Sequence, residues 1–237
     1  MKIDIWSDIM CPFCYIGKRK LESALEQFEH KEEVEIVWHS FQLDPEMKPM
    51  EGVDLYGYLA ERKGQSRDWA VRMHKQVEQM AKAEGLNYNF DKAVVANSFD
   101  AHRLIQLAKK HGLGDAAEEA LFRAYFTDGK DISDNNTLLQ LGIDIGLSAV
   151  ETGELLNSDA YAADVHADVV KAQMLGVNGV PFFVINDKYG ISGAQPKELF
   201  GEALEKAWTE QAKPSIVTLN SKNNESCTGD GCEIAGN

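Results

Sequence analysis

The sequence predicts an α/β protein whose strand-and-helix scaffold is split by a wholly helical insertion and followed by a flexible tail. Three observations carry this. A strand pattern at residues 2–7 runs straight into a helical pattern and then into a second strand at 34–41. A long stretch up to about residue 158 then repeats helical periodicity with no strand between. Finally, a strand led by a proline, Val180–Asn186, is followed by a hairpin partner and a closing helix. The divisions fall at 1–48 for the first half of the scaffold, 49–159 for the insertion, 160–213 for the second half and 214–237 for the tail.

Each element has a local reason. Apolar and polar residues alternate in Lys2-Ile3-Asp4-Ile5-Trp6-Ser7, and Leu21, Leu25 and Phe28 share one face of a helix over 12–29. Val34-Glu35-Ile36-Val37-Trp38-His39-Ser40-Phe41 is rich in β-formers. Strand, helix and strand in that order make a βαβ unit, so the two strands should run parallel with a right-handed crossover. Asp44-Pro45 and Lys48-Pro49 break the pattern. Helices are expected at 56–63, 68–84, 97–111, 115–127, 136–145 and 148–158, with Gly85, Gly112 and Gly146 as stops. One more runs over 160–175 and ends at Gly176. Asp187-Lys188-Tyr189-Gly190 is the expected hairpin turn, Ile191-Ser192-Gly193 the partner strand, and Pro196 the first turn of a last helix to about 212. Trp6, Trp38, Trp69 and Trp208 read as packing residues, and Arg62, Lys63, Arg67 and Arg72 as a solvated basic face.

Composition excludes several classes of function. Apolar residues make up 44% of 237 and charged residues 26%, ordinary for a globular chain long enough to bury a substantial core. A net charge of −14 with no basic run argues against nucleic acid and against an anionic membrane surface as partners. No apolar run could span a bilayer, and the chain opens on a strand pattern rather than an apolar leader, so a cytoplasmic location is expected. In that reducing compartment four cysteines point to catalysis or metal binding rather than static cross-links.

Cys11-Pro12-Phe13-Cys14 stands at the junction of the first strand and the first helix, which reads as a redox motif. Half a metal site, or two unrelated core thiols, are the competing readings. Cys11 would sit where unpaired helix N–H groups and the positive end of the dipole favour thiolate over thiol. Cys14, one turn on and deeper, lies within reach to close a disulfide. Pro181 is the second informative point, because a proline opening a central strand forfeits a ladder hydrogen bond. Val180–Pro181 could take the cis form, leaving the Val180 backbone to pair with an extended peptide, or be an ordinary trans proline at a strand start.

Taken together, strand, Cys-x-x-Cys helix, strand, then helix, Pro-strand, hairpin strand and helix is the order of a thioredoxin fold. The chain resembles the DsbA-like thioredoxins, and within them the FrnE-like proteins. The matching stretches are Ser7-Asp8-Ile9-Met10-Cys11-Pro12-Phe13-Cys14-Tyr15-Ile16-Gly17, Asn97-Ser98-Phe99-Asp100-Ala101-His102-Arg103-Leu104, Gly176-Val177-Asn178-Gly179-Val180-Pro181-Phe182-Phe183 and Ser192-Gly193-Ala194-Gln195, covering about residues 2–212. The resemblance implies exchange with protein or small-molecule thiols and disulfides, kept running by a recycling reductant or oxidant. Cys11 would attack or be attacked, and Cys14 would resolve the mixed disulfide. It also implies a cis Val180–Pro181 bond packed against the cysteines, where it offers the substrate backbone a partner. The helix bearing Asn97 and His102 would look across at the cleft, with His102 holding a substrate or tuning the thiol when charged. A surface or interdomain histidine with a structural hydrogen bond is the competing reading. No metal or bound cofactor is implied beyond the redox-active disulfide, with glutathione as a co-substrate. Pro12-Phe13 lacks the histidine of the most oxidising relatives, so a weaker oxidant is expected.

Cys227 and Cys232 are set in the tail with glycines between them, a spacer that allows their sulfurs to meet. The pair looks like that of some FrnE-like proteins, which implies an auxiliary redox pair exchanging with Cys11. Zinc on all four thiolates competes with this, as does an incidental pair. Two other functions share the scaffold. Glutathione-dependent isomerases of hydroxychromene carboxylates have a similar Asn97–Leu104 block but carry serine where Cys11 stands. A redox sensor or holdase-like binder would use the cysteines without turnover.

Overall fold

The computed structural model describes residues 1–48 and 53–211. The tail with Cys227 and Cys232 therefore lies outside the described residues.

A four-stranded sheet in the order β2-β1-β3-β4 has β1 (Lys2–Ser7) inside it. β2 (Glu35–Ser40) pairs parallel to β1, with Lys2 opposite Glu35 and Ser7 opposite Ser40, as the crossover through α1 (Pro12–Glu26) requires. β3 (Phe182–Ile185) runs antiparallel on the other side of β1, Trp6 facing Phe182, and β4 (Tyr189–Ser192) completes the sheet. The hairpin is tighter than the sequence suggests. Its turn centres on Asn186 and Asp187, at φ 50° and 54°, so Tyr189 and Gly190 belong to β4. Asn and Asp tolerate the left-handed conformation that such a turn demands at both central residues.

The period of two sorts β1 between two packed faces. Ile3 and Ile5, with Ile185 and Phe183 opposite them, enter the main core, where Phe183 meets Phe200 of α9 (Lys197–Gln211) edge-on at 4.8 Å between ring centroids. Trp6, Phe182 and Val184 turn the other way, onto Ala172 of α8 (Ala162–Met174) and Val177. With both faces covered, the polar member Asp4 is buried too, and a buried charge needs partners. His39 supplies one: its Nε2 lies 2.5 Å from Asp4 Oδ1, and its Nδ1 2.7 Å from Asp168 Oδ1 on α8. Asp168 also accepts the Ser40 amide at 2.9 Å and Gln106 at 2.6 Å, while Lys2 reaches Asp4 at 2.8 Å. Burial works to raise both carboxyls. Lys2 and His39 at Asp4, and His39 and Lys109 at Asp168, outweigh it and hold both below the ordinary aspartate value.

The insertion comprises α2 (Leu55–Lys63), α3 (Arg67–Ala83), α4 (Phe99–Lys110), α5 (Gly114–Arg123), α6 (Asn135–Asp144) and α7 (Ala149–Leu156). Asp54, Ser66, Asp134 and Ser148 cap α2, α3, α6 and α7 by accepting first-turn amides. The single helix expected to residue 127 instead ends at Arg123, and Ala124–Asp128 form a π-helical turn. Tyr125 and Phe126 are both buried there, and Gly129 closes the turn against Lys92, where a Cβ would come within 2.5 Å of the lysine Cβ. One hydrophobic cluster runs from Ile3 and Ile5 through Leu104, Leu121 and Phe122 to Leu138, so the helices and the sheet share a core. Trp6 and Trp38 are fully buried, whereas Trp69 and Trp208 are half-buried at its margin. Arg62 and Arg67 of the basic face pair with Asp44 at 2.5 Å and Asp54 at 2.6 Å. Among the described residues no helix is long and apolar enough to cross a membrane.

Candidate active site

Cys11 is the N-cap of α1, and Pro12 occupies the first turn, where its missing N–H costs no hydrogen bond. The Cys11 side chain caps no helix amide; its Sγ lies 3.4 Å from the carbonyl oxygen of Val180. Both cysteines are buried and both are free thiols. Their surroundings differ. The Cys14 sulfur is met by the Ser7 hydroxyl and the Asp8 amide, which favour a thiolate, but burial, followed by the hydrogen bond and charge of Cys11, pushes its thiol well above the ordinary value.

The Val180–Pro181 bond is cis, and the buried Pro181 sits against α1. Gly17 makes that approach possible: a Cβ there would come 3.0 Å from Pro181 Cγ and 3.1 Å from Phe183 Cζ. The Gly193 amide in turn donates to the Pro181 carbonyl at 2.8 Å, and Lys20 Nζ to the Ala194 carbonyl at 3.0 Å, so the Ser192–Gln195 stretch braces the proline loop against α1. Gly17→Ala should push the proline loop away from the cysteines, lowering stability by about 1–3 kcal/mol and slowing exchange. Denaturant midpoints and single-turnover rates check this, and an unchanged midpoint would mean that the contact yields freely.

Asn97 lies half-buried just before α4, and His102 lies inside the core. Asn97 Nδ2 donates to the Met47 carbonyl at 2.7 Å, and its Oδ1 accepts the Phe99 amide at 2.8 Å and Gln42 at 3.3 Å. It thereby starts α4 and pins the segment after β2. His102 is 0% exposed and has no surface with which to touch a substrate. Its Nε2 lies 3.5 Å from Asp8 Oδ1, and neither ring nitrogen has a hydrogen-bond partner among the described residues. The reason is packing: α4 runs between α5 and α8, so the face bearing His102 enters the core. The Asp8 carboxylate itself accepts the Met10 amide at 3.2 Å and the Leu43 amide at 2.7 Å.

Two residues that the sequence did not single out also reach the site. Tyr88, in the loop after α3, donates its hydroxyl to the Pro12 carbonyl at 2.7 Å; burial and then the neighbouring Cys11 and Cys14 push that hydroxyl up. Glu118 of α5 is 1% exposed, with Oε2 3.4 Å from Ser7 Oγ. Burial, then Asp115, push its carboxyl up to about 8, against the favourable influence of Lys18 and Ser7. Lys18, itself buried, lies 3.2 Å from both Asp115 and Glu119, and Tyr15 donates to Glu119 at 2.6 Å, so α5 is clamped to α1. A signal for Glu118 existed: it lies one turn before Leu121 and Phe122, on the apolar face of its helix. At this end of β1, Phe13 and Leu43 expose apolar side chains, 37% and 49% accessible.

A buried dithiol at a helix N-terminus, walled by a cis-proline on a thioredoxin sheet, defines a class of thiol–disulfide oxidoreductases. The chain belongs to the DSBA-like thioredoxin domain family, whose model matches residues 2–205. It is similar to a probable DsbA oxidoreductase from Streptomyces coelicolor, with 39% identity over the whole of both chains and a TM-score of 0.84. The protein YwbO of Bacillus subtilis is 27% identical over 85% of this chain and 94% of its own. The cytosolic disulfide reductase DsbM of Pseudomonas aeruginosa, solved with glutathione, has the same fold at 18% identity, covering 88% of this chain and 100% of that one with a TM-score of 0.62.

Proposed function

We propose that this protein exchanges disulfides with protein or small-molecule thiols through the Cys11–Cys14 dithiol, by way of a mixed disulfide on Cys11. The observation that supports this best is the asymmetry of two neighbouring sulfurs. Cys11 ends on the helix N-terminus beside the Val180 carbonyl, whereas Cys14 is enclosed and held as a thiol. In the reducing direction Cys11 thiolate attacks a substrate disulfide and expels one thiolate; Cys14 then attacks Cys11, releasing the second thiol and leaving Cys11–Cys14 oxidised. The Val180–Pro181 loop lines the substrate's approach, and Phe13 and Leu43 give it an apolar rim.

The reaction runs on the chain's own sulfurs, with no bound cofactor or metal. A thiol of the glutathione class, in keeping with the fold shared with DsbM, serves as co-substrate, and the setting is the cytoplasm. The tail pair Cys227 and Cys232 recharges or discharges the first pair. Because Pro12 and Phe13 place no cation beside Cys11, the couple is a weaker oxidant than relatives that carry a histidine between the cysteines. The deciding measurement is reduction of a disulfide substrate with a recycling thiol. Cys11→Ser should reduce the rate to background, and an unchanged rate would overturn the proposal. Cysteine rather than serine at position 11 separates this reading from isomerase chemistry.

A further inference from the structure

Asn178, Gly179 and Val180 alone cross between two fixed points beside the dithiol. On one side Val177 is 3% exposed and packed with Trp6 and Ala172, and its amide donates to the Ala172 carbonyl at 2.9 Å. On the other side the buried Pro181 is held through its carbonyl by the Gly193 amide. Val180 ends the span, with its carbonyl oxygen 3.4 Å from Cys11 Sγ. Asn178 is exposed, and among the described residues neither its side-chain amide nor the Gly179 N–H has a hydrogen-bond partner. Other asparagines are engaged: Asn97 with the Met47 carbonyl, Asn157 with the Gly153 carbonyl and Asn186 with Gln211. Asn178 is also the only asparagine in the sequence that is followed by glycine. Packing does not demand that glycine, since its φ is not left-handed and a Cβ there would meet nothing within 4 Å. What the missing Cβ does is leave the Gly179 nitrogen unscreened and its backbone free to turn toward the neighbouring side chain.

We propose that Asn178–Gly179 is a self-modification site that retires the exchange site as the protein ages. Hydroxide takes the proton of the Gly179 amide, and the nitrogen attacks the Asn178 side-chain carbonyl carbon. A bond from that carbon to the Gly179 nitrogen forms and its bond to Nδ2 breaks. The departing nitrogen takes a proton from water, returning hydroxide, and leaves as ammonia. Water then opens the cyclic imide. Attack at the former side-chain carbon gives aspartate on the original backbone. Attack at the main-chain carbon gives isoaspartate, in which the chain runs through the side-chain methylene. Nothing is oxidised or reduced, and water is the one co-reactant. The isoaspartyl form adds a methylene to a short span whose two ends are fixed, so Gly179 and Val180 must take up the extra length. That carries the Val180 carbonyl away from Cys11 and misplaces the loop that lines the substrate's approach. The loss of exchange rests on the function proposed above, whereas the modification itself does not.

The test ages the full chain at mildly alkaline pH with a reductant present and samples it over weeks. After trypsin digestion the peptide of residues 172–188 carries the site, and its fragmentation separates Asn178 from Asn186. Loss of the amide should appear at Asn178 ahead of the other described asparagines, in both aspartyl and isoaspartyl forms, and should quicken as pH rises. Reduction of a disulfide substrate with a recycling thiol should slow in step, the fraction of rate lost matching the isoaspartyl fraction. Gly179→Ala keeps Asn178 but crowds the nitrogen, and should preserve both the amide and the rate manyfold longer. Asn178→Asp, measured fresh, carries the new charge at an exposed position without the extra atom, and should exchange like the unaged chain. If Asn178 stays intact in the folded chain under conditions that convert the urea-unfolded chain, the fold protects it and the proposal is overturned. A full rate in chain converted to isoaspartate, or a fresh Asn178→Asp as slow as the aged chain, overturns the part played by the Val180 loop. A fresh parent chain without exchange overturns the function proposed above and the loss of activity with it, while the peptide still decides the modification.

Discussion

Cys14→Ser is expected to stop turnover while leaving attack by Cys11 intact. Cys11 keeps its helix terminus and its Val180 neighbour, so it still opens a substrate disulfide. The serine hydroxyl cannot displace the substrate sulfur, and the mixed disulfide therefore accumulates. Mass spectrometry under non-reducing conditions should show the chain increased by one substrate half, and catalytic turnover should fall to the uncatalysed rate. Adding Cys11→Ser should abolish the adduct. If Cys14→Ser still turned over, another thiol would be resolving the adduct. The tail pair is the candidate, and adduct that builds up only after Cys227→Ser and Cys232→Ser are included would identify it. No adduct in any variant would remove Cys11 from the attacking role.

Asp168→Asn should destabilise the protein by about 1–3 kcal/mol at neutral pH, because three polar groups that meet at this carboxylate would lose a charged hydrogen-bond acceptor away from solvent. His39 would keep Asp4 but lose the carboxylate that ties β2 to α8, and the Ser40 amide and Gln106 would lose a charged acceptor. The sign of the pH dependence follows from the directions of the shifts. Asp4 and Asp168 lie below 3.8 in the folded chain, so their contribution is present above that value and is lost as pH falls through the lowered values. Wild type should therefore weaken steeply below about pH 4, and Asp168→Asn should show a shallower acid limb. Glu118 acts with the opposite sign. Its carboxyl is raised from 4.5 to about 8, so its contribution is full below 4.5 and is lost as pH rises through 8. Urea midpoints between pH 3 and 9 measure both limbs, and equal midpoints for wild type and Asp168→Asn at neutral pH would dismiss the clamp.

The sequence was most legible where one local rule decided the outcome. The alternation of Ile3 and Ile5, the Pro-led strand after Gly176 and the Cys11–Cys14 spacing all concern neighbours along the chain, and the sheet and its dithiol follow from them. What stayed hidden depends on which helix packs where. Asp4 reads as the polar half of an alternating strand, and only α8 lying across that face makes it a buried partner of His39. His102 reads as a residue facing the cleft because its block matches the family, yet the placement of α4 between α5 and α8 turns it inward. Tyr88 comes from a stretch with no motif, and the place of Glu118 on an apolar helix face signals its burial but not what it is buried against. Their approach to the cysteines is fixed by the clamp between α1 and α5 and by the fold of the loop after α3, neither of which has a signature in local sequence.

The strand order has a bearing on synthesis. β1 leaves the ribosome some 180 residues before β3, which fills one of its two edges. Until then a nascent chain can pair β1 with β2 and wind α1, and so carry the two thiols without the Val180–Pro181 wall or the covering of α8. The edge of β1 is open over the same interval, a template for pairing with another chain. Over that interval the protein is thus itself a client for the protection of thiols and strand edges, and its own site is completed only once β3 has been made.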